Sequence, residues 1–392
     1  MIIERKINGI EFGINICKPN GLLCDKSIAE EIDNDIDRFI GYLYKAGNEK
    51  YTPMVATWEL TSSCNFSCHF CYINTTDYPK QHIYSLQELK RYADAFIKKG
   101  LLLVYLTGGE VLTIPWFKDF YIYLKQRGVL VCILSNLSLL DMEMTEVFKV
   151  YPPMRVTASI YSLCEKRFSG ITGSSGDLMY RVLENILLLK QNGINVTCQT
   201  PINTMTKEEY LDISRWCYEH DIKHSASDEM RDTYTGISRK DYRIPHDEFV
   251  LMQKQTQRAN IHYASLEKYS FKYGKKRHFD CKAGRFSFVI GTDMRIRPCF
   301  DLYGDCRLQL SAEDNVEKAL DSMMEMIQCY TDKYIDGCCG CRYVELCNEC
   351  IVTQKPHIGK NLQEYMKEQC INRITKYELA FKDLSYEKLN PI

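Results

Sequence analysis

From about residue 53 onward, short unbroken apolar runs alternate with longer amphipathic ones, and this alternation limits the possible folds more than any other feature of the chain. The apolar runs are MVATWEL, LLLVYLTG, VLVCILSN, MRVTASIY and INVTCQTPI. Between them lie SLQELKRYADAFIKKG, PWFKDFYIYLKQRG and GDLMYRVLENILLLKQNG, each with apolar residues at helical spacing. Gly100, Gly128 and Gly193 close these segments, as glycine commonly does at a helix C-terminus. Strands that stay apolar throughout are buried on both faces, which happens when helices cover a parallel sheet. The expected class is therefore α/β, barrel-like or doubly wound. In either geometry functional groups gather at the C-terminal ends of the strands.

The flanks differ. Residues 1–20 read as two strands joined at Asn8-Gly9, and residues 28–47 carry helical periodicity. Such a segment either caps the main domain or recognises a partner. Near residues 260–280 the pattern turns polar, aromatic and basic (HYASLEKYSFKYGKKRHFD), and cysteines become dense after it. This divides the chain into a hairpin/helix extension (1–50), a core (51–265) and a cysteine-rich C-terminal domain (266–392). With 50 basic and 51 acidic residues the net charge is −1, which argues against general binding to nucleic acid or a membrane surface. No apolar run reaches the roughly 18 residues of a membrane span, and the N-terminus lacks the order of a signal peptide. The expected compartment is a reducing cytoplasm, where nineteen cysteines read as metal ligands before disulfides. Cys132, Cys198 and Cys217 sit in apolar periodic segments and read as small core residues.

The first cysteine group is Cys64-Asn-Phe-Ser-Cys68-His-Phe-Cys71, following the strand MVATWEL. Three thiolates at this spacing can wrap one face of an iron–sulfur cubane, which normally takes four cysteines, leaving one iron open. The competing reading is a zinc site completed by His69. After the next strand comes Thr107-Gly108-Gly109-Glu110, where two glycines permit close backbone approach and Glu110 can accept from an ammonium group.

The triplet, with Phe70 at its aromatic position, resembles the signature of the radical S-adenosylmethionine superfamily. The resemblance implies a partial (β/α)6 TIM-like barrel and a 4Fe–4S cluster whose open iron binds S-adenosylmethionine. It further implies reductive cleavage to a 5′-deoxyadenosyl radical, which abstracts a substrate hydrogen. By the same resemblance Thr107, Gly108, Gly109 and Glu110 would contact the methionine amino group. Ser135 and Asn136 would reach the ribose, and Ser159 and Arg167 other parts of the cofactor. Plain turn chemistry is the alternative for the serines and asparagine, and a surface position for Arg167.

The C-terminal cysteines resemble the SPASM domain of related enzymes that act on peptides and proteins. Cys281, Cys299, Cys338, Cys341, Cys347, Cys350 and Cys370 take its seven places, implying two auxiliary 4Fe–4S clusters. Met294 stands where the pattern has glycine, and the last spacing within the group is two residues rather than three. Two fully cysteine-ligated cubanes need eight thiolates, so either one auxiliary iron has an open or non-cysteine ligand or Cys306 or Cys339 fills the gap, and Cys338 and Cys339 compete for one place. Zinc ribbons are the alternative reading. Asp228 and Glu229 lie near a presumed strand end and are the candidate acid–base groups.

The expected function is modification of a ribosomally made precursor peptide, by carbon–sulfur or carbon–carbon cross-linking or another oxidation. An electron donor such as flavodoxin or ferredoxin is implied, and a separate leader-binding protein is the expected helper. Two alternatives stand beside it: a sulfatase-type maturase oxidising Cys or Ser of a protein, and a non-catalytic iron–sulfur electron carrier or zinc-binding adaptor.

Overall fold

A computed structural model describes residues 1–33, 35–47, 52–73, 84–233, 237–256, 283–292, 295–300, 308–309 and 316–331. Six strands, β4 (Val55–Glu59), β5 (Leu103–Thr107), β6 (Leu130–Ser135), β7 (Arg155–Ser159), β8 (Val196–Pro201) and β9 (Lys223–Ser227), lie side by side in chain order, and every neighbouring pair is parallel. The helices between them include α3 (Leu86–Lys99), α4 (Phe117–Gln126), α5 (Met142–Val150), α6 (Glu165–Thr172), α7 (Leu178–Gln191) and α8 (Tyr210–Glu219). This is the partial (β/α)6 arrangement, an open rather than closed sheet.

Local chemistry sets the element ends. Ser85 Oγ accepts from Glu88 N (3.2 Å) and Glu88 Oε2 accepts from Ser85 N (2.8 Å), a reciprocal cap that starts α3. Gly100 ends it at φ +115°, a conformation other residues avoid. Trp58, fully buried on β4, packs edge-on against Phe96 of α3 (5.6 Å) and Phe120 of α4 (5.4 Å), locking both helices to the sheet.

Two features differ from the pattern read along the chain. Strand β9 is KHSAS, mostly polar, because it is the outer strand of this sheet and needs only one covered edge. At the other side, β10 (Ser287–Ile290) pairs parallel with β4, and β11 (Arg295–Arg297) and β12 (Leu308–Gln309) follow antiparallel. Residues assigned by sequence to the C-terminal domain thus extend the barrel sheet. The helix α10 (Val316–Thr331) packs on α3, with ion pairs Lys98–Glu317 (2.7 Å) and Lys99–Asp321 (2.8 Å).

The N-terminal residues form an antiparallel sheet, β1 (Ile2–Ile7), β2 (Ile10–Asn15) and β3 (Leu22–Leu23), with α1 (Lys26–Ile32) and α2 (Ile36–Ala46). Phe12, Ile14, Phe39 and Leu43 share one core with Met54, Leu102 and Leu130, which stand at the N-terminal ends of β4, β5 and β6. Arg5 donates to Leu101 O (2.8 Å) and Gly128 O (3.1 Å), covering carbonyls left over where α3 and α4 end. This unit therefore closes the floor of the barrel, opposite the cysteine loop.

Candidate functional site

The loop after β4 carries Cys64, Cys68 and Cys71, all partly buried. It is pinned by main-chain bonds to the end of β5, Gly109 N to Thr61 O (2.6 Å) and Glu110 N to Ser63 O (2.8 Å). A Cβ on Gly109 would stand 2.6 Å from Ser63 C and 2.7 Å from Ser62 O. One on Gly108 (φ +141°) would stand 3.0 Å from Thr61 N and closer still to Thr61 O. The two glycines therefore admit the backbone of the cysteine loop itself, where the sequence suggested close approach to a ligand. On the far side, Ser67 N donates to Thr172 O at the end of α6 (2.7 Å).

Burial pushes the Cys64 thiol up to about 11 and raises those of Cys68 and Cys71, with neighbouring thiols adding to the rise at Cys64 and Cys68. The sulfurs are thus close enough to feel one another, and Arg239, which lowers only the Cys71 thiol, does not offset burial, so the donor set suits a metal cluster whose charge supplies that balance. Among the described residues no three His, Cys, Asp or Glu gather tightly enough to share a single ion. His69, the candidate fourth ligand for zinc, is exposed. A cubane spreads its ligands over separate irons, so the loop fits it better than one metal ion.

Glu110 is fully buried and its carboxylate clasps the next strand end. It accepts from Leu112 N (3.0 Å), Ser135 Oγ (2.7 Å) and Asn136 N (2.7 Å). Burial raises its carboxyl above the usual range, and these three donors oppose the rise. From there Asn136 Nδ2 donates to Asn65 Oδ1 (3.0 Å) and lies 3.9 Å from Cys64 Sγ. Asn65 Nδ2 in turn donates to Ser138 Oγ (2.8 Å), whose hydroxyl donates to Asn136 Oδ1 (2.7 Å). The ends of β5 and β6 and the cysteine loop are one hydrogen-bonded body.

The remaining candidates divide. Thr107 is buried at the end of β5, and Phe70 is buried with its ring 5.9 Å from that of Tyr161. Ser159 ends β7 and is hydrogen-bonded to Tyr161, whose hydroxyl also bonds Cys68. Arg167 stands on α6 in an ion pair with Glu208 (2.6 Å) and another with Glu209. Asp228 and Glu229 follow β9 directly; Asp228 is half-buried, while Glu229 is exposed and 3.9 Å from Arg231. Cys299 is partly buried two residues after β11. Cys281, Cys306, Cys338, Cys339, Cys341, Cys347, Cys350 and Cys370 lie outside the described residues, as does Met294.

Several site residues were not singled out from sequence. Glu59 ends β4 fully buried and accepts from the Tyr72 hydroxyl (3.1 Å); a charged residue closing an apolar strand was the available signal. Asn65 and Tyr161 lie beside residues that were chosen. Arg239, 7% exposed, donates to Cys71 O (2.9 Å), and nothing in its sequence neighbourhood marks it. Ser62 Oγ, Asn203 Nδ2 and Arg239 Nε, at the mouth after β4, β8 and β9, are buried polar atoms with no hydrogen-bond partner among the described residues. Such atoms are rare in finished cores and common where a ligand completes the site.

Comparisons with known proteins agree with this geometry. The model of the Radical SAM superfamily matches residues 58–223. The antilisterial bacteriocin subtilosin biosynthesis protein AlbA of Bacillus subtilis is 24% identical over 348 residues, 84% of this chain and 75% of that protein. GTP 3′,8-cyclase 2 of Pseudomonas aeruginosa is 29% identical over 178 residues, and the match spans about half of that protein (53%) and 44% of this chain. Among solved structures, Streptococcus suis SuiB bound to precursor peptide SuiA superposes with a TM-score of 0.61 at 15% identity, covering 90% of this chain and 95% of that one. Native anSMEcpe with bound AdoMet gives 0.60 at 14% identity, covering 86% and 100%. At these identities the two structures bear on fold alone.

Proposed function

Residues 58–223 are a radical SAM domain, and from that premise we propose that the chain is an enzyme that modifies a ribosomally made precursor peptide, abstracting a hydrogen from one of its residues and leading to a carbon–sulfur or carbon–carbon cross-link or another oxidation. The observation that carries the reading is the convergence of strand ends. The cysteine loop after β4, Glu110 after β5, Ser135 and Asn136 after β6 and Tyr161 after β7 form one connected polar body at the mouth of the barrel. The similarity to AlbA over 84% of the chain supports a peptide as substrate.

Cys64, Cys68 and Cys71 would hold the 4Fe–4S cluster. With S-adenosylmethionine bound, that group supplies one-electron cleavage to a 5′-deoxyadenosyl radical, and the hard chemistry is the cofactor's. The protein's part is to fix and shield. Gly108 and Gly109 let the cysteine loop sit flush on β5, and the Glu110 clasp holds Ser135 and Asn136 in register with Cys64. The rings of Phe70 and Tyr161 stand beside Cys68 and would limit the access of water there, while the Tyr161 hydroxyl faces the Cys68 sulfur. Ser62, Asn203 and Arg239 present unsatisfied donors to the mouth and would meet cofactor or substrate. Asp228, at the end of β9, is the candidate proton acceptor, with Glu229 beside it.

The seven C-terminal cysteines would hold two auxiliary clusters that take up the electron left on the substrate or anchor its thiolate. A low-potential donor of the flavodoxin or ferredoxin class and a separate leader-binding protein complete the system, in a reducing cytoplasm. No helix among the described residues is long and apolar enough to cross a membrane. The second reading is a sulfatase-type maturase oxidising a Cys or Ser of a protein, for which the same cysteine loop and strand-end residues would serve.

Anaerobic incubation of the reconstituted enzyme with reductant, S-adenosylmethionine and the peptide encoded beside its gene tests the proposal. The expected result is 5′-deoxyadenosine in step with a peptide that has lost two hydrogens per cross-link. Intact S-adenosylmethionine and unchanged peptide would overturn it. A Cys or Ser oxidised in place, with no cross-link, would favour the second reading.

A further inference from the structure

We propose that Arg239 is a positioning residue for the first cluster, fixing the backbone of its third ligand and placing a buried positive charge beside it that raises the cluster's reduction potential. The inference rests on the cluster assignment above.

Arg239, which lies between β9 and α9 (His246–Lys254), reaches the end of the cysteine loop. Its Nη2 donates to Cys71 O (2.9 Å) from a site only 7% exposed. A buried guanidinium normally has an acidic partner, since an unpaired buried charge is costly. The nearby acid, Asp232, is otherwise engaged. Its Oδ1 accepts from the backbone N of Arg239 (2.8 Å), not from the guanidinium, and its charge is taken by Arg243 Nη2 (3.0 Å). The Arg239 charge is thus left facing Cys71, and its Nε has no partner among the described residues. The same charge lowers the Cys71 thiol against the burial that raises it, and Glu59 acts in the opposite sense.

A cluster gains one negative charge when one electron enters from an external low-potential reductant, and no bond or proton transfer is needed. A nearby buried cation favours that reduced state, and net charge and hydrogen bonding around the ligands are the usual determinants of such potentials. Each cysteine of the triplet has its own neighbour from a different strand end: Asn136 at Cys64, Tyr161 at Cys68 and Arg239 at Cys71. Of the three only Arg239 brings a full charge.

The test is a redox titration of the reconstituted full-length enzyme, read by the low-temperature EPR signal that changes when S-adenosylmethionine is added, which selects the cluster with an open iron. Arg239→Gln is expected to lower the midpoint by about 59 mV, a tenfold fall in the one-electron reduction equilibrium. Arg239→Lys, which keeps the charge, is expected to keep most of the wild-type value. If Arg239→Gln does not retain the cluster, Arg243→Gln serves instead, because it leaves Asp232 unbalanced beside Arg239 and should lower the midpoint too. An unmoved midpoint in an iron-replete variant, or an equal fall in the Lys and Gln variants, would overturn the inference. A wild-type protein with no signal responsive to S-adenosylmethionine would instead defeat the functional proposal on which it rests.

Discussion

Replacing Gly109 by alanine isolates the contact that joins the cysteine loop to the sheet. The added Cβ would meet only main-chain atoms, Ser63 C at 2.6 Å and Ser62 O at 2.7 Å among them, so no flexible side chain can swing away. Overpacking of this kind costs about 1–3 kcal/mol. If the loop retreats, the bonds Gly109 N to Thr61 O and Glu110 N to Ser63 O are also lost, at about 0.5–1.5 kcal/mol each. The total is roughly 2–6 kcal/mol, which at about 2.1 cal/mol/K of unfolding entropy per residue lowers Tm by roughly 2–7 °C. Because the displaced loop carries Cys64, iron bound at the first cluster should fall along with stability. Gly170→Ala is the matched control: a Cβ there meets nothing within 4 Å, and its position inside α6 predicts no loss and up to about 1 kcal/mol of gain. Thermal unfolding and iron content of the two variants, reconstituted side by side, check the reasoning. Gly109→Ala with wild-type Tm and iron would refute it.

Glu110→Gln keeps the shape of the side chain but turns an NH2 toward one of three converging donors, so it should cost about 1–3 kcal/mol and weaken S-adenosylmethionine binding, read by thermal unfolding and calorimetry. Arg5→Met removes donors from Leu101 O and Gly128 O, and hydrogen exchange across residues 1–47 should quicken by more than tenfold, each lost charged bond being worth about 1.5–3 kcal/mol. Lys125 is fully buried, donates to Pro152 O (2.9 Å), and is pushed down to about 8 by burial. Its unfolded form holds the proton up to about 10.4, so between these values the unfolded state binds more protons and stability rises with pH. The stability of Lys125→Met relative to wild type should therefore be constant below pH 8 and decline by about 3 kcal/mol toward pH 10.4, as followed by denaturant unfolding.

How far the sequence reveals this molecule depends on how local each signal is. Strands β4 to β8 were legible because both faces are buried and each reads as an apolar run. β9 was only a presumed strand end, since an outer strand tolerates KHSAS. The pairing of β10 with β4 joins residues more than two hundred positions apart and leaves no periodic trace. The same division holds at the site. The cysteine triplet declares itself by spacing, and Glu110 by its place after Gly108 and Gly109. That Glu110 would spend its carboxylate on Ser135 and Asn136 follows from the adjacency of β5 and β6 and could not be read from either motif alone. Arg239 reaches Cys71 from 168 residues away, through an irregular segment with no pattern to follow. Arg167, chosen for its place after β7, is met by Glu208 and Glu209 from the segment that leads into α8.

The central claim is that Cys64, Cys68 and Cys71 hold a cluster that cleaves S-adenosylmethionine. It is tested most directly by measuring 5′-deoxyadenosine released under anaerobic reducing conditions by the wild-type enzyme and by a variant with all three cysteines changed to alanine. The account predicts steady release from the first and none from the second. Equal release from both, or none from an iron-replete wild type, would contradict it.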